Sequence, residues 1–74
     1  MKFISKTGVK YDLDIDVDDT ICEVKVKLSN KINSSYDNIR LIFQCKILED
    51  NMLFREYNIP QNEFVPFYLI KERM

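Results

Sequence analysis

The chain has 74 residues, of which 46% are hydrophobic and 31% charged, and its 11 basic and 12 acidic side chains give a net charge of −1. This length and composition predict a single compact domain over residues 1–74 and exclude a disordered tail. The near-zero charge offers no general attraction to nucleic acid or anionic lipid, and no apolar run is long enough to span a membrane, so we expect neither as a partner.

The first two segments alternate in polarity, as in a β-hairpin. In the second segment an apolar set alternates with an acidic set, namely Tyr11, Leu13, Ile15 and Val17 against Asp12, Asp14 and Asp16. Phe3 and Leu13 can share the core face only if the residue numbers of any two residues that face each other across the hairpin add up to an even number. This condition favours a three-residue turn between Lys6 and Lys10. We interpret the aspartates as a solvated strand edge, because strict alternation is incompatible with the converging ligands of a calcium-binding loop.

A helix is predicted next. Thr20 with Glu23 three residues later forms a capping-box pattern, and apolar residues then recur at helical spacing up to Asn33. Asn33 tolerates the left-handed conformation that ends many helices. The sequence therefore predicts one amphipathic helix with a packed apolar face.

The second half of the chain predicts three more strands. Alternation in the strand around residues 40–43 points Leu41 and Phe43 inward and leaves Arg40 and Ile42 outside. A turn at Gln44-Cys45, a short strand around Leu48, a compact segment anchored by Phe54, Tyr57 and Ile59, and a strand from Phe64 to Ile70 follow. The expected core contains Phe3, Leu13, Ile15, Ile21, Val24, Leu28, Leu41, Phe43, Leu48, Ile59, Val65, Phe67 and Leu69.

In its order and spacing of residues the chain resembles ubiquitin along nearly its whole length. The matching positions are Lys6-Thr7, Asp19-Thr20-Ile21, Val24-Lys25, Lys27, Arg40-Leu41-Ile42-Phe43, Lys46, Leu48-Glu49-Asp50 and Tyr57-Asn58-Ile59. The resemblance implies an α+β fold of the ubiquitin-like β-grasp type, in which a mixed sheet of four to five strands, in the order 2-1-5-3-4, wraps one α-helix. It also implies that the Tyr57 phenol is hydrogen-bonded to backbone near Glu49.

Within that family the chain is similar to the N-terminal ubiquitin-like domain of proteasome shuttle proteins, which also partner a nucleotide-excision-repair damage sensor. The residues that carry this similarity are Lys46-Ile47-Leu48, Arg55-Glu56-Tyr57, Ile59, Asn62-Glu63-Phe64-Val65 and Lys71. We therefore expect residues 1–74 to be the N-terminal domain of a longer protein. Because residues 69–74 contain no Gly-Gly dipeptide, we also expect the domain not to be conjugated.

Ile42 occupies the position where ubiquitin carries its main recognition patch. The resemblance implies a protein-binding surface centred there and made of Ile42, Tyr68, Pro66, Arg40, Lys46, Lys6 and Ile70. An apolar centre inside a cationic rim suits helical motifs with apolar anchors and flanking acids. The expected partners are proteasomal ubiquitin receptors or other proteins with ubiquitin-interacting motifs, bound by a monomeric domain.

Catalysis has no support in the sequence. There is no histidine, no serine or cysteine lies in a nucleophile motif, and no glycine-rich loop could hold phosphate, so we expect no enzyme, no cofactor and no metal. Cys22 and Cys45 are too few for a disulfide framework, which favours a reduced cytoplasmic or nuclear setting. Two alternatives stay open: a ubiquitin-like module of a deubiquitinase, ligase or viral protein, and a modifier whose Gly-Gly tail lies beyond residue 74.

Overall fold

The computed structural model describes residues 1–16, 18–60 and 62–70. Its elements are β1 (Lys2–Ile4), β2 (Lys10–Asp12), α1 (Ile21–Ile32), β3 (Ile39–Phe43), β4 (Lys46–Ile47) and β5 (Phe64–Leu69), with short 3-10 helices at Tyr36–Asn38 and Phe54–Tyr57. The strands form one mixed sheet in the order β2-β1-β5-β3-β4. This arrangement confirms the predicted β-grasp fold. The predictions made for Val17, Lys71 and the tail of residues 71–74 lie outside the described residues.

The turn between β1 and β2 has the predicted length but not the predicted position. Phe3 pairs with Tyr11, so paired positions sum to an even number, as expected. The three-residue turn lies between Ser5 and Val9, however, and not between Lys6 and Lys10. Two local features decide this: Gly8 adopts φ 93, which is suited to glycine, and the Ser5 hydroxyl accepts a hydrogen bond from the Val9 N–H at 3.0 Å.

The helix α1 begins and ends at the residues that the sequence indicates. The Thr20 hydroxyl accepts from the Glu23 N–H at 3.2 Å, and the Glu23 carboxylate accepts from the Thr20 N–H at 2.9 Å. Asn33 closes the helix in the left-handed region, with φ 59. The helix buries Ile21, Val24 and Leu28. Its capping box and its apolar stripe are thus both confirmed.

The core lies between the helix and the inner face of the sheet, and most of it matches the prediction. Ile15, Phe43 and Ile59 are only partly buried but pack against the core. Leu69 was expected in the core and is 46% exposed, so that prediction is wrong. The reason is that β1 ends at Ile4, which pairs with Pro66, so no β1 residue flanks Leu69. The buried side chains are Phe3, Leu13, Ile21, Val24, Leu28, Ile39, Leu41, Leu48, Phe54, Val65 and Phe67.

Polar contacts fasten the helix and the connecting loops to this core. The ammonium of Lys25, a buried residue, contacts Asp50 Oδ1 at 2.6 Å, and Lys27 Nζ contacts Asp19 Oδ2 at the same distance. The Lys27 hydrogen bond holds the pKa of Asp19 below its ordinary value, against the opposing effect of burial. The Tyr57 hydroxyl accepts a hydrogen bond from the Glu49 N–H at 3.0 Å, as the resemblance implied.

The hairpin of β3 and β4 turns through two residues, Gln44 and Cys45, which both have positive φ, 52 and 65. Two consecutive left-handed residues match the twist of flanking strands, yet they are unfavourable for residues that carry a Cβ. Cys45 is exposed, Cys22 is half-buried, and both are free thiols. Within the described residues, no helix has the length and apolar character needed to cross a membrane.

Candidate functional site

A shallow groove runs over the outer face of the sheet, where β1, β3 and β5 meet. Four of the residues predicted for the binding surface line it together: Lys6, Ile42, Pro66 and Tyr68. The lining is completed by Ile4, Ser5 and Phe67. We call this feature the Ile42 groove. It is mostly apolar and has a lysine at its margin, which suits a partner that presents apolar side chains.

Arg40 stands at one end of the groove. It lies directly opposite Tyr68 in the pairing of β3 with β5, and facing residues of an antiparallel pair share one side of the sheet. Its guanidinium donates to the carbonyl oxygens of Asp37 at 3.0 Å and of Ile39 at 3.1 Å. The cation is therefore held at the margin of the groove by the backbone.

The remaining two predicted residues lie outside the groove lining. Ile70 follows β5 and is half-buried, and alternation along the strand puts it on the same side as Tyr68. Lys46 pairs with Phe43 and not with Ile42, so the pairing assigns it to the opposite side of the hairpin. It lies near the hairpin turn at the edge of the sheet.

Two isoleucines belong to this surface that the sequence argument did not include. Ile47 pairs directly with Ile42 and is 56% exposed, while Ile4 pairs with Pro66 and lines the groove. Ile4 could have been identified from the sequence, because alternation along β1 places its side chain on the other face of the strand from the core residue Phe3. Ile47 required the hairpin register, which depends on the two-residue turn.

Pro66 interrupts the backbone ladder beneath the groove. In the antiparallel pairing of β3 with β5, the Ile70 N–H donates to the Asn38 carbonyl oxygen at 2.7 Å. Two residues further along each strand, Arg40 faces Tyr68 in the same register. Hydrogen-bonded pairs alternate with other pairs in an antiparallel ladder, so Pro66 faces Ile42 at a hydrogen-bonded position. Because proline has no N–H, it cannot donate to the Ile42 carbonyl, and one bond of the central ladder is missing at the middle of the groove.

Over residues 1–16, 18–60 and 62–70, no group of three or more His, Cys, Asp or Glu side chains is placed to hold a metal ion. Every buried side-chain nitrogen or oxygen in that part of the chain has a hydrogen-bond partner. The Ile42 groove itself combines apolar lining residues with the lysine Lys6, a combination that is common in protein-binding surfaces.

Comparisons with known proteins agree with this geometry. The sequence model of the Ubiquitin family matches residues 2–71. The chain is 30% identical over 64 residues to the UV excision repair protein RAD23 of Saccharomyces cerevisiae, and the match covers 86% of this chain and 16% of that protein. It is also similar in fold to the solution structure of a computationally designed protein based on human erythrocytic ubiquitin, with a TM-score of 0.87, 18% identity, and coverage of 100% of this chain and 94% of that one.

Proposed function

Because the chain belongs to the ubiquitin family, we propose that it is a non-conjugated binding module that docks its parent protein onto proteasomal or other ubiquitin receptors. The observation that carries the proposal is the Ile42 groove, in which Lys6, Ile42, Pro66 and Tyr68 come together. No catalytic step is needed for this function. The domain acts by being bound.

The chemistry of the groove favours a helical partner with apolar anchors. Ile42, Ile4 and Tyr68 supply apolar surface, and Ile47 extends it across the β3–β4 hairpin. An amphipathic helix buries apolar side chains at successive turns in such a groove, and acidic residues beside those anchors meet Lys6 and Arg40. Burial then supplies most of the affinity, and the charges set orientation and rate.

The similarity to RAD23 supports a more specific version of this proposal. That protein is a UV excision repair protein, and the chain spans only 16% of its length. We therefore propose that residues 1–74 are the N-terminal domain of a longer shuttle protein that works in the cytoplasm or the nucleus and links cargo to the proteasome. The domain would bind as a monomer through the Ile42 groove.

A titration with a helical ubiquitin-interacting-motif peptide tests the proposal. Amide shifts should change most around the Ile42 groove, and Ile42→Ala should weaken binding by about fivefold or more, because a fully desolvated anchor contributes upwards of about 1 kcal/mol. The matched control is Val26→Ala on the outer side of α1, where Val26 is 41% exposed. Thermal melts of both variants separate lost binding from lost folding.

Charge variants test the role of the rim. Lys6→Gln and Arg40→Gln should mainly slow association and reduce its dependence on salt, since exposed ion pairs contribute about 0 to 1 kcal/mol. Lys31→Gln, in the last turn of α1, is the control cation. Shifts concentrated on Asp12, Asp14 and Asp16, or unchanged affinity in Ile42→Ala, would contradict the proposal and place the partner on another face.

A further inference from the structure

Phe64 forms a second exposed feature on the outer face of the sheet. It is the first residue of β5 and is 36% exposed. The ammonium groups of Lys2 and Lys10 lie over its ring, at 6.0 and 5.0 Å from the centroid. Two cations thus converge on one aromatic ring, at a separation where the ring attracts them.

Neither lysine is neutralised by a carboxylate in the part of the chain that the structure describes. The ion pairs found there involve Met1, Lys25, Lys27 and Arg55. Asp12 lies opposite Lys2 in the hairpin, but its Oδ1 contacts the Met1 nitrogen at 3.3 Å. The ring therefore holds two positive charges close together, and both are left available to an outside anion.

The Phe64 cluster, made of Phe64, Lys2 and Lys10, is continuous with the Ile42 groove. Phe64 and Pro66 are alternate residues of one strand, so they share a face about 7 Å apart. Ile4 joins the two regions, because it pairs with Pro66 on one side and with Lys10 on the other. One apolar band therefore runs from Phe64 through Pro66 to Ile42, with cations at its Phe64 end.

We propose that the Phe64 cluster is a second anchor point for the same partner, which binds an acidic stretch flanking the helix that occupies the Ile42 groove. The inference rests on the proposed function. Charge complementarity selects the occupant. The whole chain carries a net charge of −1, yet at this end of the outer face two ammonium groups surround an apolar ring, and neither is in an ion pair with another described residue. Carboxylates would meet the lysines, and an apolar side chain of the acidic stretch would cover Phe64.

The test compares peptides that differ only in their flank. A helical ubiquitin-interacting-motif peptide is extended with glutamates at either end, and each version has a glutamine counterpart. At low salt one glutamate extension should tighten binding to the wild-type domain by about two- to fivefold over its counterpart, the range of an exposed charge or cation–π contribution. That gain should disappear in the double variant Lys2→Gln/Lys10→Gln and fall in Phe64→Ala.

Controls keep the two proposals separate. Phe64→Leu retains apolar area but removes the aromatic face. Val26→Ala and Lys31→Gln alter exposed positions on α1, and both variants should keep the full gain in affinity from the glutamate extension. Equal binding of glutamate and glutamine peptides, or a gain that survives in Lys2→Gln/Lys10→Gln, overturns the second anchor while leaving the groove intact. If Ile42→Ala binds the peptides as tightly as the wild type does, the proposed function is overturned instead. Single-stranded oligothymidylate is the competing ligand. If it binds at Phe64 more tightly than the glutamate peptide does, the choice of a protein partner is overturned.

Discussion

Replacing Asp50 by alanine should destabilise the fold much more than replacing Lys25 by methionine, although both changes break the same ion pair. The pair joins α1 to the turn after β4, with Lys25 Nζ and Asp50 Oδ1 2.6 Å apart. Its two members differ in exposure: the Lys25 side chain is 6% exposed and that of Asp50 is 54% exposed. Removal of the carboxylate leaves a charge behind in the core, whereas removal of the ammonium leaves a carboxylate that water already solvates.

The magnitudes follow from that asymmetry. Methionine keeps the apolar stem of Lys25 packed and forfeits one charged hydrogen bond to an exposed partner, a loss of about 1 kcal/mol. Asp50→Ala leaves the buried Lys25 ammonium without its carboxylate partner and should lower the free energy of unfolding by about 3 kcal/mol. At roughly 4–8 °C per kcal/mol for a domain of this size, the second change should lower Tm by more than about 10 °C. It would remove a large part of the stability typical of small domains.

Urea unfolding followed by circular dichroism measures both free energies of unfolding. The double variant Lys25→Met/Asp50→Ala should be nearly as stable as Lys25→Met alone, because no charge is then stranded. Equal losses in the two single variants, or a double variant as unstable as Asp50→Ala, would show that the asymmetric burial does not control the energetics of this pair.

Three further changes have expected outcomes. Cys45→Gly should raise Tm by several degrees, since Cys45 has φ 65 and glycine adopts that region without penalty; Cys45→Ala should give no such gain. Thr20→Ala removes the capping hydroxyl of α1 and should cost about 1 kcal/mol in urea unfolding. The pKa of Asp19 is lowered from its ordinary value of 3.8 by Lys27, so its stabilising contribution is complete above that pH and is lost as the pH falls through the folded-state pKa. The stability difference between wild type and Asp19→Asn should therefore be greatest near neutral pH and shrink below pH 3.8; a constant difference would contradict the assignment.

Local chemistry explains how much of the fold could be predicted. The capping box at Thr20 and the left-handed Asn33 each depend on a few neighbouring residues, and both helix ends were predicted correctly. The hairpin turn was misplaced by one residue because turns after Ser5 and after Lys6 preserve the same parity. The choice between them depends on Gly8 being the residue with positive φ and on a hydrogen bond to the Ser5 side chain.

Features that depend on contacts between distant strands were predicted less well. Alternation assigned Leu69 to the core, but whether a neighbouring strand covers it depends on where β1 ends. Ile47 joined the Ile42 surface through cross-strand pairing, which no pattern within β4 could reveal. For the binding surface, the resemblance to ubiquitin implied that Ile42, Pro66 and Tyr68 are neighbours, whereas the position of Lys46 required the register of the hairpin.

The strand order has a consequence for how the chain reaches this structure. β5 is the last strand to be synthesised, yet it lies at the centre of the sheet and joins β2-β1 on one side to β3-β4 on the other. Its parallel pairing brings residues as distant as Phe3 and Val65 together. The entropy cost of closing such a long loop comes before the contact can stabilise the fold. Without β5 the two hairpins share no strand pair, and an isolated two-stranded hairpin is marginally stable at best. On the ribosome, therefore, the sheet can assemble only after residue 69 has left the exit tunnel, and folding should be a single cooperative event that follows synthesis of nearly the whole domain.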